Sequence, residues 1–167
     1  IEAGLEAEGI VTALKAEALP DLEAWERSLL KSCLKWGAQA LSQVIAPIGI
    51  GRRNTSVACA CGSSMYSQGL RPKTLTTLMG TVEYRRSLFV CPHCGASRFP
   101  GDELLDVVGT GFSPGVRRLM ARAGSRTSFV EAESDLATYA NIQVNRRDIE
   151  RIAEHLGSEV KNWRNHL

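Results

Sequence analysis

Four of the five cysteines stand in two close pairs, Cys59-Ala-Cys61-Gly62 and Cys91-Pro-His-Cys94-Gly95. No other feature constrains the fold as tightly. The two thiol-bearing turns can meet only if the chain between them doubles back. Four thiolates suit a tetrahedral Zn²⁺ and leave no open position for water or substrate, so such a metal is structural. The glycine after each pair gives the backbone room to turn its amides toward sulfur. Cys91-x2-Cys94 is an ordinary knuckle spacing; Cys59-x-Cys61 is tighter. An iron–sulfur cluster takes the same ligands. Disulfides fit less well, because no basic stretch leading into an apolar one marks the chain for secretion. His93 reads as pointing outward between its two cysteines.

The segment joining the pairs has the pattern of a hairpin. Val82, Tyr84, Arg86, Leu88 and Val90 alternate with Glu83, Arg85, Ser87 and Phe89, the period of a strand. Threonine-rich 73–79 is its partner strand, with Gly80 at the turn. Pro72 cannot donate a ladder bond and belongs at a strand start or edge.

The flanks are helical. Residues 3–19 carry apolar positions at Leu5, Ile10, Val11, Leu14 and Ala18, and Pro20 punctuates them. From Asp21 to about Ile45, Leu22, Trp25, Leu29, Cys33, Trp36, Ala40 and Val44 fall at spacings of three and four. Cys33, alone on this stripe, reads as a small buried hydrophobe. Pro47, Gly49 and Gly51 end that helix. Beyond Pro100, Ser113-Pro114 opens a helix to about Ala123. Ser128-Phe129-Val130-Glu131 is a capping box, and Asn145 caps a last helix to about Gly157. The expected fold is therefore α+β: N-terminal helices over 1–49, a four-cysteine zinc ribbon with a β-hairpin over 50–100, and helix-turn-helix-like helices over 101–167.

Charge is distributed unevenly along this plan. The net charge is only +2, yet residues 50–100 carry seven basic side chains against the single acid Glu83. A polyanion would meet the middle of the chain, not its acidic start. Arg71, Lys73, Arg85 and Arg86 lie on the expected hairpin, with Arg52 and Arg53 upstream, and read as phosphate contacts. Tyr84 and Phe89 read as core of a small ribbon. Arg117 and Arg118 lie in a second basic stretch. In a helix-turn-helix reading the last helix would enter the major groove with Arg146, Arg147 and Arg151 near its N-terminus.

Taken in order, Cys59-Ala-Cys61-Gly62, Arg71-Pro-Lys-Thr-Leu-Thr-Thr-Leu-Met-Gly80, Val82-Glu-Tyr-Arg-Arg86 and Cys91-Pro-His-Cys94-Gly95 resemble the N-terminal region of ISKra4-family bacterial insertion-sequence transposases. The resemblance continues through Asp102-Glu-Leu-Leu105, Ser113-Pro-Gly-Val-Arg-Arg118, Ser128-Phe-Val-Glu-Ala132 and the helix from Arg146 to Leu156. It implies a cytoplasmic, DNA-associated protein whose zinc ribbon and helix-turn-helix bind element ends. It also implies catalysis by an RNase H-like acidic triad with two divalent metals, in a domain that follows this region. No sheet for such a domain is expected after residue 113, so the catalytic domain would be supplied in cis by a longer chain or in trans.

The acids here do not suggest a substitute. Asp102, Glu103 and Asp106 form one cluster and Glu131, Glu133 and Asp135 another, without a strand scaffold. His155 and His166 are isolated. The expected role is to bind double-stranded DNA without cutting it. The competing expectation is an assembly module, in which the Trp25–Trp36 stripe pairs with a second copy of the chain and the metal only replaces a missing core. No apolar run reaches the roughly 18 residues that a membrane span needs.

Overall fold

The structure is a computed structural model that describes residues 2–15, 21–51 and 55–165. The expectations placed on Ala18, Pro20, Arg52, Arg53 and His166 lie outside these residues. Helix α1 spans Glu2–Lys15 and α2 Leu22–Ile50. Strands β1 (Val57–Ala58), β2 (Ser64–Thr77), β3 (Gly80–Val90) and β4 (Ser97–Arg98) form one antiparallel sheet in the order β1-β2-β3-β4. Helices α3 (Pro100–Leu104), α4 (Pro114–Gly124), α5 (Phe129–Ala140) and α6 (Arg146–Arg164) follow. The chain is α+β, with a hairpin at its centre. None of the described helices is long and apolar enough to cross a membrane.

The hairpin is longer than the pattern predicts. Strand β2 begins at Ser64, not near residue 73, and runs through Pro72, which pairs with Arg85. Beyond the short β1 contact, β2 is an edge strand, so Pro72 can turn its missing donor outward. One extra residue on β2 shifts the register between Ser67 and Leu70, and Gly69 sits there with φ +91°. That is a β-bulge, and glycine tolerates its backbone angle. Two residues, Leu78 and Met79, make the turn between the paired Thr77 and Gly80. The Thr77 hydroxyl closes it by donating to the Gly80 carbonyl (2.8 Å) and accepting from the Met79 amide (3.1 Å).

Strand β3 is buried on different faces at its two ends. Val82 and Tyr84 are buried near the turn with Leu75, Ile45 and Val107; Phe89 is buried near the cysteines with Met65 and Cys91. Helix α2 lies along β3 and makes this possible. Ser42 Oγ donates to the Glu83 carbonyl (2.9 Å) and Ser87 Oγ to the Ile50 carbonyl (2.5 Å). A helix thus covers a strand edge that would otherwise be a pairing hazard.

Helix α2 corrects two sequence expectations. It does not stop at Pro47 but continues to Ile50, where the Gly51 amide bonds the Pro47 carbonyl (2.9 Å). The face it packs is Ala38, Leu41 and Ile45, one residue, or about 100°, from the stripe through Ala40 and Val44. Both rows are apolar, and only contact with the hairpin selects between them. Val44 is consequently exposed, and so is Cys33, which is not a core residue.

Gly49 shows how closely helix and strand approach. A Cβ there would lie 2.6 Å from both the Arg85 carbonyl and the Tyr84 ring. Gly49→Ala is expected to cost about 1–3 kcal/mol by overpacking, read as a lowered urea midpoint with an unchanged m-value. The outcome that contradicts this packing is a midpoint equal to wild type.

The C-terminal helices have their own core of Val116, Met120, Ala132, Leu136, Ile142, Ile149 and Ile152. Their caps are those the sequence marks. Ser113 accepts from the Val116 amide, Ser128 and Glu131 form the reciprocal capping box, and Asn145 accepts from the Asp148 amide. Asn141 ends α5 in the left-handed conformation with φ 54°. Helix α6 passes Gly157 and reaches Arg164. The helical unit joins the hairpin through two backbone bonds, Thr76 N to the Gly111 carbonyl (2.8 Å) and Ser113 N to the Thr76 carbonyl (2.9 Å).

Candidate metal centre and basic surface

The two cysteine turns are variants of one design. In the first, the Gly62 amide bonds the Cys59 carbonyl (3.0 Å) and the Cys59 amide bonds the Ser63 carbonyl (2.9 Å). In the second, Gly95 bonds Cys91 (3.0 Å) and Cys91 bonds Ala96 (2.8 Å). Each partner in the second turn is one residue further along, which is the difference between C-x-C and C-x2-C. Gly62 and Gly95 both have positive φ, +86° and +72°. The tight first spacing therefore makes as complete a knuckle as the second.

The hairpin brings the turns together. All four sulfurs lie within 4.8 Å of one another, with Cys59–Cys94 at 3.5 Å and Cys61–Cys91 at 3.6 Å. A tetrahedral ion with Zn–S bonds of about 2.3 Å requires sulfurs about 3.8 Å apart. The cluster brackets that edge length, so the residues fit a single metal ion. The separations are far from the roughly 2.05 Å of a disulfide, and all five cysteines are free. Cys91 is buried on Met65 and Phe89, which anchors the centre to the sheet. His93 is exposed and stands outside the four-sulfur group.

The thiols do not share charge evenly. The Ser63 amide, followed by the Cys59 side chain, lowers Cys61 to about 6. The strongest single influence on Cys94 is the Ala96 amide, which lowers it, but Cys59, Cys61 and Cys91 together push it up to about 12. Four sulfurs this close resist becoming thiolates together unless a cation joins them.

The basic residues divide into two groups. Lys73, Arg86 and Arg117 turn inward. Lys73 Nζ donates to Asp102 Oδ2 (2.9 Å) and to the Val107 carbonyl (2.5 Å). Arg86 pairs with the same Asp102 oxygen and lies 3.7 Å over the Phe99 ring. Arg117 holds both the carboxylate and the carbonyl of Asp106 (2.5 and 2.6 Å), a residue with φ 52°. Arg71, Arg85, Arg118, Arg146, Arg147 and Arg151 are exposed. Cross-strand partners share a face, so Arg71, opposite Arg86, lies on the Asp102 side of the hairpin. Arg85, opposite Pro72, lies on the other. The four hairpin cations are not one patch.

The residue that organises this end of the hairpin is Asp102, which is only 1% exposed. Besides the two cations it accepts from the Tyr84 hydroxyl (2.9 Å). Burial first, and the bond to Asp102 second, push the Tyr84 hydroxyl well up, so it stays a neutral donor. Sequence reasoning grouped Asp102 with its acidic neighbours. The available clue was Pro100-Gly101 before it: a Cβ on Gly101 would meet the Gly49 Cα at 2.8 Å, so the turn is pressed against α2. Neighbouring Glu103 instead meets Arg98 in a two-pronged pair (2.8 and 2.5 Å), whose hydrogen bond holds its carboxyl below the ordinary range.

No family model matches the chain, and no curated protein is similar enough to indicate a relationship.

Proposed function

We propose that this chain is a zinc-stabilised module that binds double-stranded DNA and positions it, as at the ends of a mobile element, without cutting it. The observation that carries the reading is the outer N-terminus of α6. Arg146 and Arg147 are exposed there, and Arg151 stays 61% exposed one turn on while touching Asp148 (2.9 Å). A five-residue link, 141–145, anchored by buried Ile142, sets α6 against α5 and α4. This packing supports a helix-turn-helix reading, in which the arginines stand at the end that would enter a groove, beside an Asp148 amide already capped by Asn145. Exposed Arg71, Arg85 and Arg118 would add phosphate contacts; Lys73 and Arg86 pair with the buried Asp102 carboxylate and Arg117 with the exposed one of Asp106.

The acids support binding over cleavage. Asp102, Glu103 and Asp106 are each engaged by a cation, and Glu131 is used in its capping box. Zn²⁺ is the ion best suited to four close sulfurs; a multi-iron cluster places additional atoms among its thiolates and needs more room. The catalytic domain of a transposase would be a partner, in cis or in trans.

Arg146→Gln with Arg147→Gln is the direct test. The double variant is expected to weaken duplex binding at least tenfold at moderate salt. Its slope of log K against log salt should be shallower by nearly two, at about 0.9 for each phosphate that is no longer neutralised. Anisotropy across a salt series reads both. Unchanged affinity and slope in a folded variant refute the role given to α6.

A second reading rests on Leu22, Leu29 and Val44, which remain 67%, 43% and 65% exposed along α2. With half-buried Trp25 and Trp36 beside them, they suit pairing with a second copy of the chain. A monomer by sedimentation at high concentration rules this out.

A further inference from the structure

A cavity of about 400 Å³ opens beside Asp102. Lys73, Arg86 and Arg98 bring three cations to its wall, and Asp102 and Glu103 bring two carboxylates. Arg98 and Glu103 satisfy each other at the exposed side. What remains inside is one carboxylate against two cations whose side chains are only 8% and 19% exposed. Tyr84 adds a neutral donor to Asp102 and no charge. The inner wall therefore carries one positive charge that these groups leave unbalanced, in a setting where solvent screens it poorly.

A second defect lies at the same place. Arg86 Nε is buried and, among the described residues, has no hydrogen-bond partner, a condition it shares with Arg117 Nε. Buried donors are normally satisfied, and each exception asks for an explanation. An acceptor bearing negative charge in the cavity would balance the charge of this guanidinium; Nε itself is closed off from the open space and would be met only as the guanidinium turns toward the anion. The mouth is open to one. Val108 is 64% exposed, Gly109 has no side chain, and Thr110 lines the wall with its hydroxyl accepting from the Phe112 amide (3.2 Å).

We infer that this cavity binds a phosphate-type oxyanion, held from within by Lys73 and Arg86 and flanked at the rim by Arg98. Guanidinium and ammonium groups together are the usual recognition chemistry for such an ion. The anion is either free or a backbone phosphate of nucleic acid. The second source rests on the DNA reading above; the first does not.

The test uses the full metal-loaded chain and inorganic phosphate at fixed ionic strength, with chloride as control. Saturable one-to-one binding by calorimetry is expected, with a Kd of about 1 mM or tighter. Val108→Glu places a carboxylate at the mouth without entering the core and should weaken phosphate at least about tenfold. Val108→Gln should stay within about twofold, and thermal unfolding without phosphate shows that both variants fold.

No saturable binding to wild type, or equal binding to Val108→Glu, overturns the site. Phosphate that competes with a DNA duplex, with both weakened by Val108→Glu, supports the site with a backbone phosphate in it. Phosphate binding sensitive to Val108→Glu, with duplex binding unaffected or absent, supports the site with a free oxyanion. Duplex binding without phosphate binding refutes the cavity and leaves the DNA reading standing.

Discussion

With the proposed metal at the four sulfurs, its removal is expected to unfold the ribbon end of the hairpin and leave the C-terminal helices folded. The reason is the size of the local core. Around the four sulfurs the buried apolar residues are Met65, Phe89 and Cys91, with Val57 and Cys59 partly covered. Strands β1 and β4 have two residues each. Such short strands do not persist without a packed face. Structural zinc contributes on the order of 10 kcal/mol of apparent binding free energy in small zinc domains, at least as much as the roughly 5–9 kcal/mol from burying three apolar side chains. The helical unit has seven buried residues of its own among those described, in a cluster separate from that of the cysteines.

Two measurements check this. Native mass spectrometry should show one Zn²⁺ per chain, lost in Cys91→Ser, the variant of the one fully buried ligand. Amide exchange should then show loss of protection over 57–66 and 88–98, while 114–156 keeps its protection. Protection unchanged in both regions after the metal is gone would mean that the centre is not structural. Loss of protection throughout would mean that hairpin and helices form one cooperative unit, joined through Thr76 and the 111–113 segment.

What the sequence made legible, and what it did not, divides by the range of the interaction. The caps at Ser113, Ser128 and Asn145 depend on neighbours three residues away and could be read directly. The cysteine knuckles are also local, and the hairpin pattern between them indicated that they would converge. Asp102 could not be read this way. Its partners lie 29 and 16 residues earlier, on two strands whose register no local pattern specifies. Without that register Lys73 and Arg86 look like surface cations. The extent of β2 was hidden for a related reason: Pro72 and Gly69 are strand breakers by propensity, and an edge position and a bulge accommodate them. The packed face of α2 was ambiguous because two adjacent rows on it are apolar. Only contact with β3 separates Ile45 from Val44.

Asp102 consequently carries the second large prediction. Asp102→Ala is expected to destabilise the chain by about 3–5 kcal/mol, the cost typical of breaking a buried ion pair from one side. The loss is not mainly the attraction itself. Lys73 and Arg86 would be left as two buried cations with no carboxylate between them, and the Tyr84 hydroxyl would lose its acceptor. Lys73 also ties the hairpin to the Val107 carbonyl (2.5 Å), and Val107 is itself core at 1% exposure. The damage should therefore spread to the joint between hairpin and helices. Removing the whole network is expected to be milder: Lys73→Met, Arg86→Leu and Asp102→Leu together leave no buried charge, and such replacements are often near neutral. Chemical denaturation of the single and triple variants distinguishes the two contributions. A triple variant as unstable as Asp102→Ala would show that the attraction, not the stranded cations, holds this corner. A single variant as stable as wild type would show that Asp102 organises nothing.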